Sequence, residues 1–199
     1  MFSAIKKYVD FESVNPSIKY LSISAFFTGL ALGYFLTVIV ITQKLYGYSE
    51  STIGLISASF SLGLVAAGFF VSKILSNLGL YKMLLLSVSV QTVCVLAMFI
   101  YFIPINLALG HFIMGIMGGM NWMTMDTWVN IVSNNKNRGK AIGLYNSSIS
   151  IGFAVGPLLV AIFGTQGLLP IFICLLLMLI RIPALKIIKG HINNVKIPE

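Results

Sequence analysis

Charge is what this chain has least of. Charged residues make up 9% of its 199 positions, against about 25% in a typical soluble domain. Too few remain to solvate an ordinary protein surface. Carboxylates are scarcer still: Asp10, Glu12, Glu50, Asp126 and Glu199 are the whole set, and they form no cluster that could hold a metal ion. The two cysteines, Cys94 and Cys174, lie inside apolar runs away from any metal-type spacing, and they read as small core residues rather than a disulfide. No phosphate-binding glycine loop occurs. What fills the chain instead is apolar: 58% hydrophobic residues and a mean hydropathy of +0.96. This is the composition of an all-α integral membrane protein. The net charge of +8 and pI near 9.6 would suggest nucleic acid in a soluble protein. Here the positive charges sit in short stretches between apolar runs, which excludes that reading.

A helix crosses the roughly 30 Å hydrocarbon core with about 20 apolar residues. Six windows satisfy this: 20–42, 51–72, 82–103, 105–132, 140–163 and 167–188. They predict a six-helix bundle over 20–188, preceded by a cytoplasmic segment 1–19 and followed by a cytoplasmic tail 189–199. With the N-terminus inside, the inner side collects Lys6, Lys7, Lys19, Lys73, Lys82, Lys136, Arg138, Lys140, Arg181, Lys186, Lys189 and Lys196, and the outer side only Lys44. Twelve against one sets both termini in the cytoplasm by the positive-inside rule. The first span is long and lacks a small-residue cleavage site behind it, so it reads as a retained helix. Lysine far outnumbers arginine, and Ile and Asn are plentiful, which points to an AT-rich bacterial genome and a bacterial inner membrane.

Helices in lipid associate through close approach at small residues, because lipid tails are as apolar as leucine. Four spans carry small residues at four-residue spacing. Span 1 has Ala25, Gly29 and Gly33, and span 2 has Ser59, Gly63 and Ala67. Span 4 has Gly115 and Gly119, and span 5 has Ser148, Gly152 and Gly156. Spans 3 and 6 have none. The order 1, 2, 4, 5 describes two three-helix repeats, each with two inward helices and a third that faces lipid. In span 5, IGFAVGPLL adds Pro157, which removes a helical hydrogen bond that a bend or a neighbour can compensate.

SIGFAVGPLL resembles the fifth-helix G-x-x-x-G-P motif of the major facilitator superfamily. LGHFIMGIMGG is similar to that family's fourth-helix motif, with His111 where an arginine is usual. GFFVSKILSNLGLYK keeps Gly68, Gly79 and Lys82 of the loop between helices 2 and 3, but has Ser76 and Asn77 in place of its acid–base pair. MDTWVN followed by NRGKAIGLY resembles a subgroup with E-S/T-W-x-N and R-G-x-x-x-G-L-Y, Asp126 replacing the glutamate. The resemblance implies one six-helix half of a twelve-helix secondary transporter, which moves a small solute by alternating access between two such units. Its implied partners are membrane lipid, a small-molecule substrate and a second six-helix half, as a separate chain or a second copy. A non-transporting assembly partner or a transporter remnant stands as the alternative.

Polar residues within the spans give the candidate sites. Thr28 and Tyr34 on span 1, Asn121 and Thr124 on span 4, and Asn146 and Ser147 on span 5 are the substrate-cavity candidates, each weighed against simple backbone satisfaction. Asp126 reads as a structural or gating ion pair with Lys73, Lys82 or Arg138, as a proton-coupling group, or as a solvated helix end. His111 reads as a hydrogen-bonded core residue or a protonation site. No lysine or arginine is expected at mid-depth, which argues against an anionic substrate. No G-x-S-G serine, paired Asn-Pro-Ala or metal cluster is present, so neither enzyme nor water channel is expected, and no cofactor.

Overall fold

The computed structural model describes residues 16–133, 137–182 and 185, and these form helices with no strand. The helices are α1 (Pro16–Leu45), α2 (Glu50–Ile100), α3 (Pro104–Val132), α4 (Arg138–Phe163) and α5 (Leu169–Leu179). Residues 1–15 of the expected cytoplasmic segment and the whole tail 189–199 lie outside the described residues. So does Lys136.

Local chemistry sets the helix ends. Helix α1 begins at Pro16, four residues before the span expected from hydropathy, because proline suits a first turn whose N–H groups have no helical partner. It ends at Gly47 (φ 77°), where Tyr48 N–H donates to Gln43 O at 3.1 Å and Gly47 N–H to Lys44 O at 3.0 Å. Ser49 then caps α2, its Oγ accepting from Thr52 N–H at 3.2 Å. A Lys44–Glu50 ion pair spans the same turn. Between α2 and α3, Asn106 Nδ2 donates to Ala97 O at 3.0 Å and Tyr101 O at 2.7 Å, satisfying carbonyls at the end of α2.

Helix α2 merges two of the expected spans. Residues 73–78 contain neither glycine nor proline, so the helix runs on past the expected loop until Gly79. There φ 75° and ψ 165° enter a region essentially restricted to glycine. A Cβ at Gly118 would lie 3.6 Å from Gln91 Nε2 and 3.7 Å from Phe60 Cζ. Phe60 and Gln91 would be roughly 46 Å apart on a straight helix at 1.5 Å per residue. The chain therefore folds back at Gly79 and lays both arms against α3.

Three helices are long and apolar enough to cross a membrane among the described residues: Ser17–Leu45, Glu50–Ile100 and Arg138–Phe163. Six spans are not reached on that criterion. Helix α2 counts once although it folds back, and α3 carries Asn106, His111, Asn121, Asp126 and Asn130. The regular part of α5 has 11 residues, with Arg181, Ile182 and Leu185 also helical beyond it.

The most extensive pairings are α2 with α3 and α1 with α4. In both, glycine lies on backbone. A Cβ at Gly152 would strike the Phe26 carbonyl oxygen and come within 2.9 Å of Leu30 N, and one at Gly29 would strike the Ile149 carbonyl. Gly63 and Gly115 meet in the same way, each against a carbonyl of the other helix, Phe112 and Phe60 respectively. Gly119 packs against Ala67 Cβ, and Gly156 lies against the Gly33–Tyr34 backbone. Pro157 has no N–H to give to the carbonyl four residues back, that of Phe153. That carbonyl is the one lying against Gly33, so the rung lost from α4 faces a close approach of α1, within reach of a weak Cα–H contact.

Candidate functional site

A cavity of about 670 Å³ opens between the helix pairs, and all five helices contribute to its wall. Most of the wall is apolar: Leu32 and Leu36 from α1, Phe60 and Leu64 from α2, Met114 and Met125 from α3, Ile149 and Phe153 from α4. Seven polar side chains interrupt it, namely Thr28, Gln91, Asn121, Tyr145, Asn146, Ser150 and Arg181. An apolar pocket with a few convergent polar groups is the usual form of a small-molecule site, and its volume falls in the usual range of roughly 300–1,000 Å³.

Thr28, Asn121 and Asn146, three of the six substrate candidates, come together in this wall. Thr28 Oγ1 also donates to Ser24 O at 2.9 Å, and Asn121 is buried. The other three stand elsewhere. Tyr34 is fully buried in the core cluster with Phe35 and Cys174, and its hydroxyl has no hydrogen-bond partner. Thr124 is buried and donates to Met120 O at 2.7 Å. Ser147 is exposed outside the cavity.

His111 is buried with Nδ1 at 2.8 Å from Leu107 O and its ring 5.6 Å from that of Phe35. The carbonyl is an acceptor only, so Nδ1 carries the proton of the neutral ring. Asp126 faces Tyr145 on α4, whose hydroxyl completes no hydrogen bond. It makes no ion pair with Lys73, Lys82 or Arg138, and among the described residues the ion pair formed is Lys44–Glu50. Arg138 Nε instead donates to Asn130 Oδ1 at 2.9 Å, and Asn130 Nδ2 donates to the backbone oxygen of Asp126 at 2.8 Å. The Asn of MDTWVN, Asn130, and the Arg of NRGKAIGLY are thereby joined across the α3–α4 connection.

Four polar cavity residues, Gln91, Tyr145, Ser150 and Arg181, were not expected, and one reverses an expectation. Arg181, counted above among cytoplasmic charges, is 2% exposed and lines the cavity. Its Nη1 donates to Gln91 Oε1 at 2.8 Å and approaches Met178 Sδ at 3.6 Å. Gln91 in turn lies beside Gly118, midway along α3. The guanidinium thus reaches the middle of the bundle, where no cation was expected. Helical side chains point back toward the N-terminus, and a long one displaces its charge by about a turn from its own Cα. Counting charges by sequence position misses that displacement. Available signals were Gln91, the lone amide of span 3, and the placement of Arg181 inside an apolar window.

The family profile described as Major Facilitator Superfamily matches residues 21–189. The chain is also 28% identical over 147 residues to the uncharacterized MFS-type transporter YfkF of Bacillus subtilis (strain 168), an alignment covering 73% of this chain and 37% of that protein. The chain thus matches little more than a third of that relative's length. A helical bundle built on paired glycine faces, the G-x-x-x-G-P segment against α1 and the extent of the profile match agree. The chain is an integral membrane protein of the Major Facilitator Superfamily.

Proposed function

We propose that this chain forms one six-helix unit of a secondary transporter, with six crossings in two three-helix repeats and both termini in the cytoplasm. Each arm of α2 is long enough to cross on its own: residues 50–78 and 80–100 at 1.5 Å per residue extend about 44 and 32 Å. Moving Arg181 from the inner count still leaves eleven positive residues inside against Lys44 outside. The unit moves a small solute by alternating access, rocking against a second six-helix unit inserted in the same orientation.

The observation that carries this reading is the cavity, into which every helix turns at least one side chain. A binding pocket between helix pairs that meet through bare backbone is what a rocking bundle requires. A second unit unlike this one is preferred to a second copy, because Ser76 and Asn77 replace the acid–base pair of the loop at the α2 fold-back. The chain's match to 37% of its relative's length equally suits a non-transporting assembly partner.

Flux measured in sealed vesicles tests this, with the chain alone and with candidate second units. Solute movement dependent on the chain is the expected result. A stable monomer inert in every pairing would refute transport and leave the assembly-partner reading. Reporter fusions after residues 47, 104 and 165 should read outside and those after 78, 136 and 195 inside. Reversal at any two sites would end the six-span model.

A further inference from the structure

We propose that Arg181 is the anion-binding group of the cavity and that its ligand is an amphipathic carboxylate. The proposal rests on the transporter reading of the same cavity and names the class of solute. Arg181 is 2% exposed, and its Nε and Nη2 have no hydrogen-bond partner. The third nitrogen, Nη1, is engaged by Gln91 and Met178. A guanidinium is planar, and Nε–H and one Nη2–H run parallel along one edge, matching the two oxygens of a carboxylate. The unpartnered nitrogens are that edge. Both are buried, and Gln91 holds the opposite side, so the fork is oriented before anything binds.

Burying a guanidinium without a counter-charge is strongly unfavourable, and buried charges are normally paired. The two described carboxylates do not answer it: Glu50 pairs with Lys44, and Asp126 faces Tyr145. Neither lines the cavity. Arg181 is therefore the one formal charge among the described residues of the wall, its head level with the middle of α3 and away from the helix ends where a cation would reach water. Asn121, 3% exposed in the same wall, can supply a further N–H. Around these groups stand Leu32, Phe60, Met114 and Phe153, which suit an apolar body. A strongly polar anion would lose its hydration against them without replacement.

The test uses the full chain purified in neutral detergent near pH 7, with octanoate, octanamide and octyl phosphate as probes. Thermal unfolding followed by tryptophan fluorescence reports binding. Octanoate should raise the midpoint saturably, and octanamide should bind at least about tenfold more weakly, since it lacks the charge the fork recognises. Arg181→Lys should weaken octanoate about tenfold, because an ammonium offers a point charge and no fork. Arg181→Gln should abolish the preference of acid over amide. Where a variant does not fold, the acid–amide comparison on the unaltered chain decides. Equal binding of acid and amide, absence of octanoate binding, or acid preference retained in Arg181→Gln would overturn the proposal. Tighter binding of octyl phosphate would assign the site to a phosphate, including that of a lipid headgroup, and overturn the carboxylate. An acidic side chain of the second unit seated on Arg181 would show as octanoate binding lost on pairing, and would likewise overturn it. Flux without acid preference leaves transport standing and removes this proposal, whereas acid-selective binding without flux in any pairing does the reverse.

Discussion

Gly152→Ala and Gly143→Ala make the same chemical change in the same helix, and the structure gives them opposite outcomes. Both should gain about 1 kcal/mol of intrinsic helix propensity. A Cβ at Gly143 meets nothing within 4 Å, so that gain stands alone. At Gly152 the new methyl would strike the Phe26 carbonyl oxygen, with Leu30 N at 2.9 Å and Phe26 C at 3.0 Å. All three are backbone atoms of α1, so no rotamer can relieve the overlap and the helices must separate. Overpacking of this kind costs about 1–3 kcal/mol. The propensity term cancels between the two variants, leaving Gly143→Ala more stable by about 1–3 kcal/mol, the whole steric cost. At about 2 kcal/mol the folded-to-unfolded ratio changes roughly thirtyfold. The Gly152→Ala, Gly156→Ala double variant should cost less than the sum of its parts, because one separation of α1 from α4 admits both methyls. Unfolding titrations with dodecyl sulfate in mixed micelles, followed by Trp122 and Trp128 fluorescence, measure the difference. Equal stability of Gly143→Ala and Gly152→Ala would refute the close backbone approach.

Gly79→Ala should lose about 1–3 kcal/mol despite alanine's helix propensity, since φ 75° with ψ 165° is closed to a residue with a Cβ; the same titration reads it, and a stabilised variant would place the fold-back elsewhere. Asn106→Ala should cost about 0.5–1.5 kcal/mol, because the Ala97 and Tyr101 carbonyls lose their shared side-chain donor but each keeps a backbone N–H, read as a lower unfolding midpoint. Val93→Leu, on the outer face of α2 at 64% exposure, should be nearly silent, whereas Gly152→Leu should reduce the folded yield in detergent. In a cysteine-free background, Asn146→Cys should react with a small thiol reagent far faster than Thr124→Cys, because Asn146 lines the open cavity and Thr124 is buried. Equal rates would contradict the cavity's boundaries.

The helical class and the membrane setting were legible because hydropathy and small-residue spacing are local properties of the chain. Gly29, Gly33, Gly63, Gly115, Gly152 and Gly156 announced close approach, but not the partner. That α1 takes α4 while α2 takes α3 depends on which ridges fit together, which spacing alone cannot specify. Gly79 was visible as a residue of a motif, yet the helix on its N-terminal side outran the expected loop because Ile74 and Leu75 pack into the core and continue the helix. Tyr34 and Thr124 looked like cavity residues by depth, but depth does not fix the rotational phase that turns them into the core. Arg181 was misplaced because a long side chain carries its charge well away from its Cα.

The pairing of α1 with α4 around α2 with α3 is nested, like one pair of brackets inside another. For a chain made from its N-terminus, this sets an order of assembly. Helix α2 can meet α3 as soon as the turn at 101–103 has formed. Helix α1 ends at Leu45, but its partner begins at Arg138, 93 residues later. At about 5–20 residues per second, that interval lasts roughly 5–19 s. Through all of it the Gly29–Gly33 face has only lipid, or another protein, to lie against. A seam that joins the finished bundle backbone to backbone is therefore also its longest-lived vacancy during synthesis, and the step at which a membrane insertase or chaperone has most to protect.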